Sequence, residues 1–288
     1  MALEIFKLVG SIFVDSEQAN KSISKTDEKA QNFGKTLLNG VKTVGKWGAA
    51  VAKGAAVATG AAVTAVTAIG TASTKSYADY EQLIGGVETL FGESARKVRD
   101  YADAAYRTAG LSANDYMETV TSFSASLLQS LKGDTEKAAE AGNRAVIDMA
   151  DNANKMGTDI SSIQTAYQGF AKQNYTMLDN LKLGYGGTKQ EMERLLADAT
   201  KLSGIRYDIS NLSDVYEAIH VVQTELGITG TTAKEAATTI SGAIGSMKSQ
   251  WKNFLTALSG EGWDIGVYVE NLVDSIATVV DNLIPRIQ

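Results

Sequence analysis

The chain has 288 residues, of which 44% are hydrophobic and 21% charged, a balance that fills a globular core and excludes an intrinsically disordered chain. The absence of cysteine excludes disulfide bonds, thiolate metal sites and a cysteine nucleophile, and the single histidine, His220, leaves little for zinc or imidazole chemistry, so we expect no cofactor and no enzyme. The net charge of -6 is spread along the chain, which argues against sequence-specific binding of nucleic acid.

The first 46 residues predict a short strand followed by a polar helix. Glu4 to Asp15 is rich in β-branched and aromatic residues, which favours a strand. Asp15 then resembles a helix N-cap, and a thin apolar stripe follows it at helical spacing. The N-terminus has neither the basic region nor the cleavage site of a signal peptide, so we expect synthesis and retention in the cytoplasm.

Residues 47–76 form an alanine- and glycine-rich apolar helix in our interpretation. Residues 54–72 contain no charge and are long enough to approach the roughly 30 Å of a bilayer core, yet few of them are strongly apolar. Small residues four apart equally allow close packing between helices. A tightly packed helix and a conditional transmembrane helix both remain open. The candidate residues for membrane contact or helix packing are Gly54, Val57, Ala58, Ala62, Val63, Val66 and Ile69.

Residues 77–260 predict an all-α, multi-helix domain built from αα-hairpins, because there is a single proline in the chain and glycines mark the turns. Residues 261–288 then read as the start of a further apolar helical segment that is cut short. Capping boxes at Ser112, Thr188 and Thr232 support three of the helix starts. The predicted helices span 77–90, 93–109, 113–132, 135–156, 159–180, 188–203, 211–226, 232–259 and 264–284.

Several residues are candidates for a site, and each has a simpler structural interpretation. Asp148, Asp151 and Asn152 carry oxygen ligands, but their spacing favours a solvated helix face over a cation site, and Asp159 favours a helix cap. The glycine-rich loop 181–190 lacks the residue order of a phosphate-binding loop. Aromatic and aliphatic clusters favour core packing. The residues assigned to that packing are Tyr167, Phe170, Tyr175, Leu178, Trp251 and Phe254.

Three runs of the sequence resemble one family. Residues 105–131 (AYRTAGLSANDYMETVTSFSASLLQSL), 145–204 (beginning AVIDMADNANKMGTDISSIQTAYQGF) and 229–258 (TGTTAKEAATTISGAIGSMKSQWKNFLTAL) are similar to the N-terminal domain of tail tape measure proteins from phages and prophages of Gram-positive bacteria. The opening run KLVGSIFVDSEQANKSI is similar to the family's first strand and helix.

The resemblance implies a non-enzymatic virion protein that lies in the lumen of the tail tube, templates tube assembly and sets tail length. It implies the tail tube protein, the tail assembly chaperones and other copies of the chain as partners. It also implies release on infection, with help to DNA passage through the envelope and contact with the host membrane. The alternative is a membrane-active, pore-forming helical protein that uses residues 47–72.

Overall fold

The computed structural model describes residues 60–283, with side-chain surroundings from residue 70 onward. These residues belong to one of two compact units of the chain, Ala55–Gln288. Every regular element among residues 60–283 is helical, which confirms the all-α prediction for this part of the chain. The predicted strand, the polar helix after it, and Gly54, Val57 and Ala58 lie outside the described residues.

Most helices follow one another through short connections, and the longest connection, residues 171–188, lies between the helices that end at Phe170 and begin at Lys189. We label them α1 to α10 in chain order. Short 3₁₀ turns at Gly92–Ser94 and Leu178–Leu181 lie between some of them. The bounds are α1 Gly60–Phe91, α2 Ala95–Thr108, α3 Ala113–Ser130, α4 Thr135–Met156, α5 Ile160–Phe170, α6 Lys189–Ser203, α7 Leu212–Glu225, α8 Thr231–Thr238, α9 Ile240–Ser259 and α10 Ile265–Leu283.

Helix α4 lies at the centre and packs against α1, α2, α3, α5, α7 and α8. It is buried on nearly all sides, and its alanines and Gly142 keep it thin enough for close approach. A Cβ on Gly142 would lie 2.9 Å from Val120 Cγ2, so a larger residue would force α3 away. The helix ends where Gly157 adopts a left-handed conformation with φ of 61°, which a residue with a side chain adopts at a cost.

Helix α1, described from Gly60, joins the apolar helix predicted over 47–76 to the helix predicted over 77–90. It runs through Ala62, Val63, Val66 and Ile69 because no proline or left-handed glycine interrupts this stretch. Among residues 60–283, none of the helices combines the length and the apolar character that a membrane span requires. In residues 60–72, alanine, glycine and threonine dilute the few strongly apolar side chains on which the conditional transmembrane interpretation depends.

Two predicted helices are each divided in the structure. The helix predicted over 159–180 ends at Phe170, where the backbone turns back and Asn174 N donates to Gly169 O at 2.9 Å. The helix predicted over 232–259 is interrupted at Thr239, which is extended. Its Oγ1 accepts from Gly242 N at 3.0 Å and so starts α9. The break at Thr239 depends on a side chain that caps locally, whereas the turn after Phe170 is closed by a backbone hydrogen bond, and neither break contains a proline.

Candidate functional site

An aromatic cluster joins α3, α5 and α7 at the centre of the domain. Tyr167 and Phe170 of α5 have ring centroids 5.7 Å apart, and Tyr167 lies 5.0 Å from Tyr216 of α7. Phe123 of α3 meets Tyr216 edge to face at 5.4 Å. All four rings are buried, and edge-to-face and tilted contacts of this kind add to the stabilisation that burial gives. Phe123 and Tyr216 were not identified from the sequence, because their pairing with α5 is set only in the folded chain.

The other residues assigned to core packing lie at two places. Tyr175 stacks on Phe170 with ring centroids 6.1 Å apart, and its hydroxyl donates to Ile209 O at 3.1 Å, while Leu178 is fully buried in the 3₁₀ turn. Trp251 and Phe254 pair on α9 with ring centroids 5.5 Å apart. Phe254 is buried, whereas Trp251 is half-buried and forms part of the surface.

Beside the aromatic cluster, the buried Asp148 of α4 pairs with His220 of α7, whose side chain is 25% exposed. His220 Nδ1 lies 2.8 Å from Asp148 Oδ1 and 3.0 Å from Oδ2, and the aspartate is only 1% exposed. Four residues earlier on α4, Arg144 forms an ion pair with Glu217 of α7 at 2.7 Å. The two pairs fix the position of α7 along α4.

Asp151 lies less than one helical turn beyond Asp148 and is fully buried as well. Its Oδ2 accepts from Gly230 N at 2.6 Å and its Oδ1 accepts from Thr232 N at 2.7 Å. A carboxylate from α4 thus caps the N-terminus of α8, where unpaired N–H groups attract negative charge. The predicted capping box at Thr232 is therefore wrong, since α8 begins at Thr231 and its N-cap, Gly230, has no side chain.

Electrostatic coupling ties the pair to the aromatic cluster. Burial raises the pKa of the Asp148 carboxyl, and the hydrogen bond from His220 partly opposes that rise. The hydrogen bond to Asp148 raises the pKa of His220, against the opposing effect of burial. Burial, and then the charge of Asp148, raise the pKa of the Tyr167 hydroxyl, which accepts a hydrogen bond from Gln223 Nε2 at 3.3 Å. Chemically, the pair can hold one proton between α4 and α7.

The solvated helix face predicted for Asp148, Asp151 and Asn152 is wrong, because α4 is surrounded by other helices. Asn152 Nδ2 donates to Leu181 O at 3.0 Å, so this side chain also links α4 to a distant loop. Asp159 behaves as predicted, since its Oδ1 accepts from Ser161 N at 2.9 Å and caps α5. One feature of the sequence could have indicated that these three polar residues are buried: the helix around them is rich in alanine and has few other charged residues close by.

The glycine-rich loop 181–190 connects the 3₁₀ turn to α6 as a capped turn. Thr188 Oγ1 accepts from Glu191 N at 3.2 Å, which confirms this helix start. Glu191 Oε2 accepts from Gly186 N at 3.0 Å, so the loop's backbone donor contacts a side chain of the same chain. Within residues 60–283, no three His, Asp or Glu side chains come together in a way that could hold a metal ion.

Comparison of the chain with protein-family models, with curated proteins and with solved structures gives no match.

Proposed function

We propose that the chain is a structural protein of a phage tail, acting as the N-terminal part of a tail tape measure protein. The observation that carries the proposal is the resemblance of residues 105–131, 145–204 and 229–258 to that family. In the fold these runs cover the end of α2, α3, most of α4, α5, α6, α8 and most of α9. They contain Phe123, Tyr167 and Phe170 of the aromatic cluster. They also contain Asp151 and the two residues at the start of α8 whose N–H groups it accepts from, Gly230 and Thr232.

The proposed role is mechanical. The chain would lie in the lumen of the tail tube, with the tube protein, the assembly chaperones and other copies of itself as partners. A fully extended helix rises about 1.5 Å per residue, so the conversion of packed helices into an extended arrangement would change the length that a given chain spans. The buried pairs Asp148–His220 and Asp151–α8 would be among the contacts broken by such an extension.

The proposal predicts that the chain is present in purified tails. Tails purified after induction of a host strain that carries the gene should contain peptides of this chain by mass spectrometry, at a low copy number relative to the tube protein. A matched strain with a nonsense codon early in the gene should make no tails, or tails of altered length by electron microscopy. Intact tails of normal length and number from the nonsense strain would contradict the proposal.

A further inference from the structure

Helix α9 faces the other helices with polar side chains at successive helical turns. Ser249 Oγ donates to Gly110 O at 2.7 Å, and Asn253 Oδ1 accepts from Ala113 N at 2.8 Å. Thr256 lies one turn further along the same face, since residues three and four apart share a side of a helix. These three side chains are buried, so hydrogen bonds form a substantial part of this interface.

Polar side chains of α9 also contact polar side chains of α1. The Ser76 and Thr256 hydroxyls lie 2.6 Å apart, and the Ser73 and Ser259 hydroxyls also lie 2.6 Å apart. At the edge, Lys252 Nζ lies 2.8 Å from Asp115 Oδ2 in an exposed ion pair. Each of these groups exchanges a protein partner for water on separation, so the net stabilisation from each contact is small.

The buried apolar residues of α9 and α10 lie apart from the main hydrophobic core. That core takes in residues from Val87 of α1 to Ile228, including the aromatic cluster. Helices α9 and α10 pack extensively on each other, and α9 also packs against α1 and α8. The buried apolar residues of α9 and α10, all outside the main core, are Ala243, Met247, Phe254, Ala257, Val269, Leu272 and Val280.

Gln250 is fully buried at this interface without a good partner. Its amide lies beside the Tyr106 hydroxyl, which donates to Asn271 Oδ1 at 3.3 Å. Among the described residues, neither polar atom of the Gln250 side chain has a hydrogen-bond partner, whereas Asn152 of α4 and Gln223 of α7 each lack a partner for one amide atom only. Buried polar atoms without partners favour separation, because water would satisfy them.

One apolar contact holds the far end of the hairpin. Trp263, in the connection between α9 and α10, meets Tyr80 of α1 edge to face with ring centroids 4.9 Å apart. The Tyr77 ring centroid lies 6.3 Å from that of Trp263, and Tyr268 stacks on Trp263 with ring centroids 5.5 Å apart. The opposite end of α9 begins at Thr239, a single extended residue after α8. Asp151 holds α8 on α4, so Thr239 is placed to act as a hinge.

We propose that the α9–α10 hairpin, residues 240–283, separates as a unit from helices α1 to α8 while those helices remain folded. The polar face of α9, the unpaired Gln250 amide and the separate apolar contacts of the hairpin all lower the cost of this motion. The hinge is Thr239, and the Trp263–Tyr80 contact is the clasp. The inference stands independently of the role in a phage tail.

Native-state hydrogen exchange followed by mass spectrometry tests the motion on the full chain. Amides of α9 and α10 should open at least about tenfold more often than those of α4 and α5, as expected for a sub-global opening. Trp263→Ala should increase exchange in residues 240–283 by a further factor of about ten without an equal increase in α4. The matched control is Tyr185→Ala, a half-buried aromatic of another region, which should leave exchange in the hairpin unchanged.

A cross-link gives the complementary test, because the chain contains no cysteine of its own. The double variant Ser73→Cys with Ser259→Cys should form a disulfide on oxidation and slow exchange in α9 to the rate of α4. The same protein after reduction is the control and should recover fast exchange. Equal exchange rates in the hairpin and in α4 would overturn the proposal, as would failure of the cross-link to form or an equal slowing of both regions.

Discussion

The aromatic cluster and the α9–α10 hairpin are attached to the fold by different kinds of contact. Around Tyr167, four aromatic rings from three helices are buried against one another, and loss of α7 would break two of their three contacts because Tyr216 meets a ring of each of the other two helices. Along α9, hydroxyls, amides and one ion pair make the contacts, and each can be replaced by water. Two regions of similar helical structure therefore differ in how cooperatively they are attached to the rest of the fold.

Tyr167→Ala should have the largest effect, because it removes a fully buried ring from the aromatic cluster. We expect the free energy of unfolding to fall by about 3–5 kcal/mol, measured by urea unfolding with circular dichroism. Phe254→Ala is the matched change in the hairpin. It should speed exchange in residues 240–283 yet leave the main unfolding midpoint nearly unchanged. Equal midpoint shifts for the two variants would contradict the difference between the regions.

Asp151→Ala should have the next largest effect. The substitution leaves Gly230 N and Thr232 N without their acceptor at the start of α8. The expected loss is about 2–3 kcal/mol in urea unfolding, as for hydrogen bonds to a buried charged group. Asp151→Asn keeps one acceptor oxygen and should lose less. A wild-type midpoint for the alanine variant would show that α8 does not need this cap.

Gln250→Met should strengthen the hairpin's attachment. It replaces a buried amide without hydrogen-bond partners by an apolar side chain of similar length. We expect the free energy of hairpin opening, measured by hydrogen exchange, to rise by about 1 kcal/mol. The control is Gln223→Met in the aromatic region, where the amide donates to Tyr167, and this change should destabilise the protein. Faster exchange in the Gln250 variant would mean that the amide stabilises the interface.

The Asp148–His220 pair should make stability depend on pH. The pKa of His220 is raised in the fold, so its contribution is fully present below its unfolded value and is lost as the pH rises through the folded value. The raised pKa of Asp148 acts with the same sign, since burial disfavours its charged form. The melting temperature should therefore fall as the pH rises from mildly acidic to mildly alkaline.

His220→Gln is the control for that pH dependence. The glutamine can still donate a hydrogen bond to Asp148, but it does not titrate, so the fall in melting temperature should become smaller. Arg144, Glu217, Asp151 and Tyr167 surround the pair and are unchanged in this variant. An identical pH profile for the variant and the wild type would remove His220 as the source.

Lys252→Ala should have the smallest effect. The Lys252–Asp115 pair is largely exposed, and pairs of this kind contribute less than about 0.5 kcal/mol once solvent screening is included. Urea unfolding and exchange in α9 should both stay near wild type. A larger loss would mean that the edge of the polar interface, rather than the Trp263 clasp, holds the hairpin in place.

Local patterns in the sequence predict much of the fold. Helix α4 spans residues 135–156 as predicted, and the starts at Ser112, Thr188 and Asp159 are set by caps that lie within three residues of the N–H groups they accept from. Such contacts depend only on neighbouring residues. The breaks at Phe170 and Thr239 were missed because Gln173, which adopts a left-handed φ of 56°, and Thr239, which is extended, are residue types that also occur inside continuous helices.

The sequence by itself therefore determined the helical class, most helix positions and the aromatic residues of α5 that enter the core. Only the tertiary structure decided that Asp148 and Asp151 are buried, because their partners His220, Gly230 and Thr232 lie 72 to 81 residues away along the chain. It also decided that α9 contacts the rest of the domain through its polar face. Helical periodicity shows which residues share a face, whereas the packing of the other helices sets which face meets water.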